Sequence, residues 1–216
     1  MDVLREISTL KERAMLFRDD GDYEDAIETL DEAEQRILSE LGQFTATSEG
    51  PGRYELSLRK QLYTIRGSKG GVYRRWKHLP DAIASYDAGY EVERSFEDSY
   101  NLTQRLVTRV MQDPQSVAGE GGIVAGVAVR DELRRAGETI RAQKRHDDEY
   151  AAADLLTILL LLGDPGWRHA LQEFLRRADT ASYAREVTKK VFEEIAEYLE
   201  PGTPFARDLD EARARL

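Results

Sequence analysis

The sequence contains no cysteine. That excludes disulfide staples and cysteine–zinc sites, and it fits a reducing compartment. Long hydrophobic runs are also missing. A membrane span needs roughly 18–20 apolar residues, whereas the longest run here, Leu155 to Leu162, is short and broken by Thr157. Met1-Asp2 leads directly into polar, helix-like sequence, with no basic segment and no apolar signal core. The expected location is therefore cytoplasmic, with no membrane partner. Positive charge is scarce too: 31 Lys and Arg stand against 41 Asp and Glu, for a formal charge of −10 and a pI near 5.0. This argues against general nucleic-acid binding, which needs a basic face to displace counterions.

What is present is a chain of 216 residues, 41% hydrophobic and 33% charged, enough for one substantial domain or two small ones. Nearly every periodic segment is helical. Val3, Ile7, Leu10, Ala14 and Phe17 recur at spacings of three and four and form one apolar stripe. Asp19-Asp20-Gly21-Asp22 breaks it, with Gly21 suited to a helix end and Asp22 to capping the next helix. Ala26, Ile27, Leu30, Ala33 and Ile37 resume the stripe up to Gly42. The stretch "FTATSEGPGR", Phe44 to Arg53, is a long connection.

A further helix is expected from Tyr54 to Lys77, interrupted or bent around Gly67 to Gly71. Pro80 suits the first turn of the helix after it. Another runs from Ser99 to Met111, followed by a break at Gly119 to Gly122. The run Ile123 to Val129 alternates like a short strand, but Leu133 and Ile140 continue it in helical phase, so helix is the expectation. Three more helices are expected at Tyr150–Leu162, Gly166–Ala178 and Ala181–Leu199. The tail beyond Pro201-Gly202 adds one short helix. The fold class is all-α.

The chain also repeats itself. When "RAMLFRDDGDYEDAIETLDEA" is set above "KGGVYRRWKHLPDAIASYDAG", Ala14 lies over Gly70 and Phe17 over Tyr73. Ala26 then lies over Ala82, Ile27 over Ile83, Leu30 over Tyr86, and Ala33 over Gly89. Small residues fall where two helices must touch, and large ones fill the space between. A third, weaker copy begins at Ala151. There Leu162-Gly163-Asp164 supplies the turn, and Ala170 and Phe174 occupy the small and large positions.

This pattern resembles the tetratricopeptide repeat, a helix–turn–helix unit of about 34 residues. "EDSYNLTQRLV" (Glu97 to Val107) and "DLLTILLLLGDPGWRHALQEF" (Asp154 to Phe174) are similar to the helical TRAFs-binding domain. That domain is found in stress-signalling MAP kinase kinase kinases and in bacterial proteins fused to conflict or signalling effectors. Asp98, Tyr100 and Asn101 fall near its D-x-Y…N pattern, and Leu160 to Asp164 near its LLLGD turn. The resemblance covers Gly70 to Leu199. It implies antiparallel helix pairs stacked as a short, irregular, right-handed solenoid, in segments 1–43, 54–112 and 123–199 with a tail at 200–216. It also implies a scaffold that binds another protein, and it transfers no catalytic residue.

The concave face of such repeats is lined by the first helix of each pair. The resemblance therefore implies Lys11, Met15 and Arg18 from repeat one, with Thr64, Arg74 and Arg75 from repeat two. Together they form a basic groove for an acidic peptide or helix. The family's carboxylate clamp is not expected, because Met15 stands where it needs Asn.

Other chemistry is weighed against this. "GSKGGV", Gly67 to Val72, opens like a phosphate loop, but it lacks the closing Gly-Lys-Ser/Thr and any preceding strand. His78, His146 and His169 form no metal-binding pair and read as surface residues. The acidic runs "DDGDYE" (Asp19 to Glu24) and "HDDEY" (His146 to Tyr150) resemble the metal clusters of all-α isoprenoid enzymes, yet both lie at turns where Asp caps helices for local reasons. No nucleophile elbow is present. Of ten tyrosines, Tyr63, Tyr73, Tyr86, Tyr90 and Tyr100 gather about the second repeat, for packing and in part for a peptide groove. The expectation is a non-catalytic adaptor without cofactor or metal, serving a bacterial signalling or conflict effector. Two alternatives stay open. One is an all-α metal-dependent enzyme using the Asp clusters. The other is a homo-oligomer subunit that buries Ile123–Val129 or Leu155–Leu162 between copies.

Overall fold

The first two helices meet through a turn that the sequence encodes directly. α1 (Val3–Asp20) ends at Gly21, whose φ of 89° lies in the left-handed region open to glycine. The Gly21 N–H donates to Arg18 O at 3.2 Å and Asp22 N–H to Phe17 O at 2.9 Å, which satisfies two carbonyls at the helix end. α2 (Tyr23–Leu41) follows at once. Asp22 stands at its start, but the carboxylate does not cap it. The Asp22 backbone carbonyl accepts from Ala26 instead, at 3.0 Å.

In the computed structural model, which describes residues 3–44, 51–117, 123–124, 127–143, 145, 147–179 and 181–216, the chain divides into two compact units, Met1–Phe96 and Glu97–Leu216. The described residues form ten α-helices, and none is long and apolar enough to cross a membrane. The break expected at Gly119 to Gly122 and the residue His146 lie outside the described residues.

In the first unit α1 and α2 are followed by α3 (Arg53–Arg75) and α4 (Leu79–Glu93). Each helix packs on its neighbour in sequence, and α1 also touches α3. Ile7, Leu10 and Ala14 from α1, Ala26 to Ile37 from α2, and Leu58, Leu62, Ile65 and Val72 from α3 share one core. The expected break in α3 does not occur; the helix runs unbroken through Gly67, Gly70 and Gly71. Tyr86 explains Gly70. A Cβ at Gly70 would lie 2.7 Å from the Tyr86 ring, while one at Gly71 would meet only its hydroxyl, at 3.7 Å.

The turn between α3 and α4 repeats the first one. Lys77 N–H donates to Arg74 O and His78 N–H to Tyr73 O, and Lys77 has a φ of 66°. Lys77 thus does what Gly21 does, with a side chain that resists the conformation.

The second unit begins with α5 (Tyr100–Gln112) and a 3-10 turn, Pro114–Val117. Where one helix was expected from Ile123, a minimal hairpin stands instead. β1 (Ile123–Val124) pairs with β2 (Val127–Ala128) in antiparallel register, Ile123 opposite Ala128 and Val124 opposite Val127. Alternating β-branched residues favour this extended pairing, and the helical phase takes over only in α6 (Val129–Ala142). α7 (Glu149–Leu162), α8 (Trp167–Arg177), α9 (Tyr183–Ala196) and α10 (Pro204–Ala214) complete the unit.

α7 is apolar on all sides, and a helix of that kind belongs in an interior. It touches α5, α6, α8, α9 and α10. Leu156 and Ile158 to Leu161 are buried within the unit itself, so the homo-oligomer face expected at Leu155–Leu162 is largely occupied. α7 ends with the same turn as α1 and α3: Gly163 has a φ of 64°, its N–H donates to Leu160 O, and Asp164 N–H donates to Leu159 O.

Two substitutions separate the roles of adjacent glycines. Gly70→Ala must displace the Tyr86 ring and should cost about 1–3 kcal/mol, whereas Gly71→Ala should gain about 0.5–1 kcal/mol of helix propensity. Lys77→Gly should add about 0.5–1 kcal/mol by relieving the left-handed backbone. Urea-unfolding midpoints of the three variants check these signs.

Candidate functional site

The basic island Arg66 to Lys77 is largely spent on holding helices together. Lys69 forms ion pairs with Asp31 and with Glu34, the latter at 3.0 Å, and Arg66 pairs with Glu34 at 2.7 Å. The Arg66 guanidinium also donates to Ala88 O at 3.0 Å, so one side chain of α3 ties α2 to α4. Burial alone would raise the Glu34 carboxyl, but the hydrogen bonds from Arg66 and Lys69 outweigh it and hold Glu34 below its ordinary range. Lys69 is likewise subject to desolvation, yet its bonds to Asp31 and Glu34 hold it above its ordinary value. The Lys69-Gly70-Gly71 stretch is thus helix interior, and its backbone does not form a phosphate-cradling loop.

The six residues expected to line the concave face divide. Arg74 is 8% exposed, with its guanidinium 6.0 Å from the Tyr86 ring centroid; it belongs to the interior rather than to a basic edge. The remaining five are partly exposed, on two helices that touch. On α3 the half-buried positions Gln61, Thr64, Ser68, Gly71 and Arg75 follow helical spacing and make one stripe of polar or small residues. On α1, Lys11, Met15 and Arg18 make the matching stripe.

Thr64 bonds back to Lys60 O at 2.8 Å, and Met15 packs against the core while its sulfur meets Arg18 at 3.0 Å. Arg18 and Arg75 share the Asp19 carboxylate, at 2.7 and 3.2 Å. Burial lowers the Lys11 ammonium from its ordinary value, against the pull of Glu12.

The tyrosines mostly pack. Tyr63 sits 5.3 Å from Phe96, Tyr73 stacks on Trp76, and Tyr86 is wholly buried. Tyr100 is different. It lies at the edge of a cleft in the second unit that sequence reasoning missed.

This cleft has a volume of about 410 Å³. The start of α5 brings Asp98, Tyr100 and Gln104; the segment before α7 brings Arg145 and Asp148; α7 brings Tyr150, Asp154 and Thr157; and α9 brings Tyr183, Val187 and Val191. Its deep end is a polar cluster. Ser99 Oγ donates to Asp154 Oδ2 at 2.6 Å, and Arg145 reaches Asp148 at 2.6 Å, Asp98 at 3.5 Å and Ser99 Oγ at 3.3 Å.

The same carboxylates shape the backbone. Asp148 Oδ1 caps α7 by accepting from Tyr150 N–H at 2.8 Å, and Asp98 Oδ1 accepts from Ser99 N–H at 2.8 Å. "HDDEY" therefore acts as a helix start through Asp148. Burial, and then the charge of Glu149, raises the Tyr150 phenol above its ordinary value. The readable signal for this site was Asp154, the only charge between Ala151 and Leu162.

His78 and His169 are exposed, and among the described residues no three His, Asp or Glu side chains converge as a metal ion requires. No protein-family model matches the chain, and no curated protein matches it.

The Glu34 bridge has a definite pH signature. A carboxyl held below its ordinary range stabilises the fold at neutral pH and loses that effect as the pH falls through its depressed value. Glu34→Gln should therefore unfold at lower urea than the parent protein at pH 7. The gap should begin to narrow near pH 4, the ordinary carboxylate range, and close once the pH has fallen past the depressed value. Unfolding midpoints across that range test the sign.

Proposed function

We propose that the chain is a non-catalytic adaptor that binds another protein through the paired stripes of α1 and α3. The observation that carries this reading is the Arg18–Asp19–Arg75 cluster, where two guanidiniums share one carboxylate on a partly exposed surface. The small side chains beside it, at Thr64, Ser68 and Gly71, leave room for an incoming backbone or helix. An acidic peptide or acidic helix face suits such a surface, because guanidiniums take carboxylates through charge-assisted hydrogen bonds. Support also comes from the repeated helix hairpins, since tandem helix pairs offer extended surfaces of this kind. The resemblance to repeat scaffolds of bacterial signalling and conflict systems suggests the setting, with the effector encoded separately.

Photo-crosslinking amino acids at Met15 and Thr64, introduced in the native host, test the reading. A discrete protein adduct is expected from both positions, and it should fall at least tenfold when Arg18→Glu and Arg75→Glu are combined. Circular dichroism should show helicity unchanged in that double variant. An adduct insensitive to the charge reversals, or none above that seen from exposed Glu12, would overturn it.

A further inference from the structure

Lys11 stands apart from the other described lysines. Lys60, Lys77 and Lys189 are exposed, and Lys190, also exposed, pairs with Glu186 at 2.6 Å. Lys69 is half-buried but holds Asp31 and Glu34. Lys11 is half-buried too, yet its ammonium makes no hydrogen bond and no ion pair among the described residues.

Its neighbours along α1 account for the burial. Ile7, one turn before it, and Ala14, one turn after it, are wholly buried, and Met15 packs against the core of the first unit. Residues three and four apart share a helix face, so the Lys11 side chain is set among apolar ones. The helices that pack on α1 do not offset this with a free carboxylate. On α2, Glu32 is held by Arg13, and α3 carries a single carboxylate, Glu55, which is held by Arg59 at 2.7 Å. The carboxylate that acts on Lys11 is that of Glu12, the next residue, which is exposed and works against the effect of burial.

A lysine is a nucleophile only when neutral. In water, about one lysine amine in a thousand is neutral near pH 7.4, and removal from water favours that form. We infer that Lys11 is an acylation site, where the amine takes an acyl group from an acyl phosphate or an acyl thioester ahead of the exposed lysines. The neutral nitrogen attacks the acyl carbon, and an N–C bond forms as the bond from that carbon to oxygen or sulfur breaks. The electron pair leaves with the phosphate or thiolate, and the extra proton on nitrogen passes to water. The product is an uncharged amide, so the α1 stripe loses one positive charge. This step needs only Lys11 and does not rest on the adaptor reading.

The full chain is incubated near pH 7.4 with acetyl phosphate and, separately, with S-acetyl-N-acetylcysteamine, and the rate at each lysine is followed by peptide mass mapping. Lys11 should be acetylated at least about threefold faster than Lys60, Lys77 and Lys189. The advantage should vanish in denaturing urea, and also near pH 11, where every amine is largely neutral. Glu12→Gln removes the opposing carboxylate without touching the core, and it should quicken labelling of Lys11 about two- to threefold.

Preference for Lys11 with one donor assigns that donor as the source, and preference with both assigns acyl donors in general; either result supports the inference. Equal rates at Lys11 and the exposed lysines, an advantage that persists in urea, or slower labelling in Glu12→Gln would overturn it. None of these outcomes bears on the adaptor reading, whose cross-links are placed at Met15 and Thr64.

Discussion

One backbone constraint recurs through the structure and organises the helices on either side of it. A helix reverses into the next one only if its last carbonyls find partners, and here a single residue with positive φ turns the chain so that they do. Phe17 O to Asp22 N, Tyr73 O to His78 N and Leu159 O to Asp164 N are the same bond made three times. Once the chain has turned in this way, the flanking helices lie side by side and the small positions become obligatory. Gly70 has no Cβ because the Tyr86 ring occupies that space, and Ala14, Ala26 and Ala33 are fully buried at equivalent points of the first hairpin. The internal repeat is thus a repeat of one turn and of the close approach that it imposes.

Legibility follows from how local each cause is. Gly21 and Gly163 announce their turns because glycine relieves a local strain, and Pro80 announces a helix start for a local reason too. Lys77 occupies the same conformation without the residue that signals it, and only the alignment with Gly21 reveals it. The unbroken α3 was hidden by the opposite effect: its glycines read as breakers, but Gly70 serves a neighbour sixteen residues away. At Ile123–Ala128 alternation and helical phase overlap, and pairing across a short hairpin decided in favour of extended backbone.

Charge was the least legible property because its partners are distant in sequence. Lys69 and Arg66 look like a free basic island until Asp31 and Glu34, on another helix, are brought against them. Arg74 and Arg75 are adjacent in the chain, yet one lies inside beside Tyr86 and the other lies near the surface on Asp19. Helical geometry separates neighbours by about 100° around the axis, so consecutive arginines rarely serve one surface. The cleft of the second unit was invisible for a related reason. Its lining comes from four separate segments, and only Asp154, alone in an apolar helix, broke a local rule.

A net charge of −10 describes neither surface. What decides recognition is the residue left over once internal pairs are formed. In the first unit, Arg18 and Arg75 meet on one aspartate beside small polar side chains. In the second, Arg145 gathers Asp98 and Asp148 in a cleft edged by aromatic rings. Desolvation raises the stakes in both places, because a charge removed from water interacts more strongly with whatever replaces the water. Added salt weakens exposed pairs of either sign, so ionic strength alone does not distinguish these surfaces.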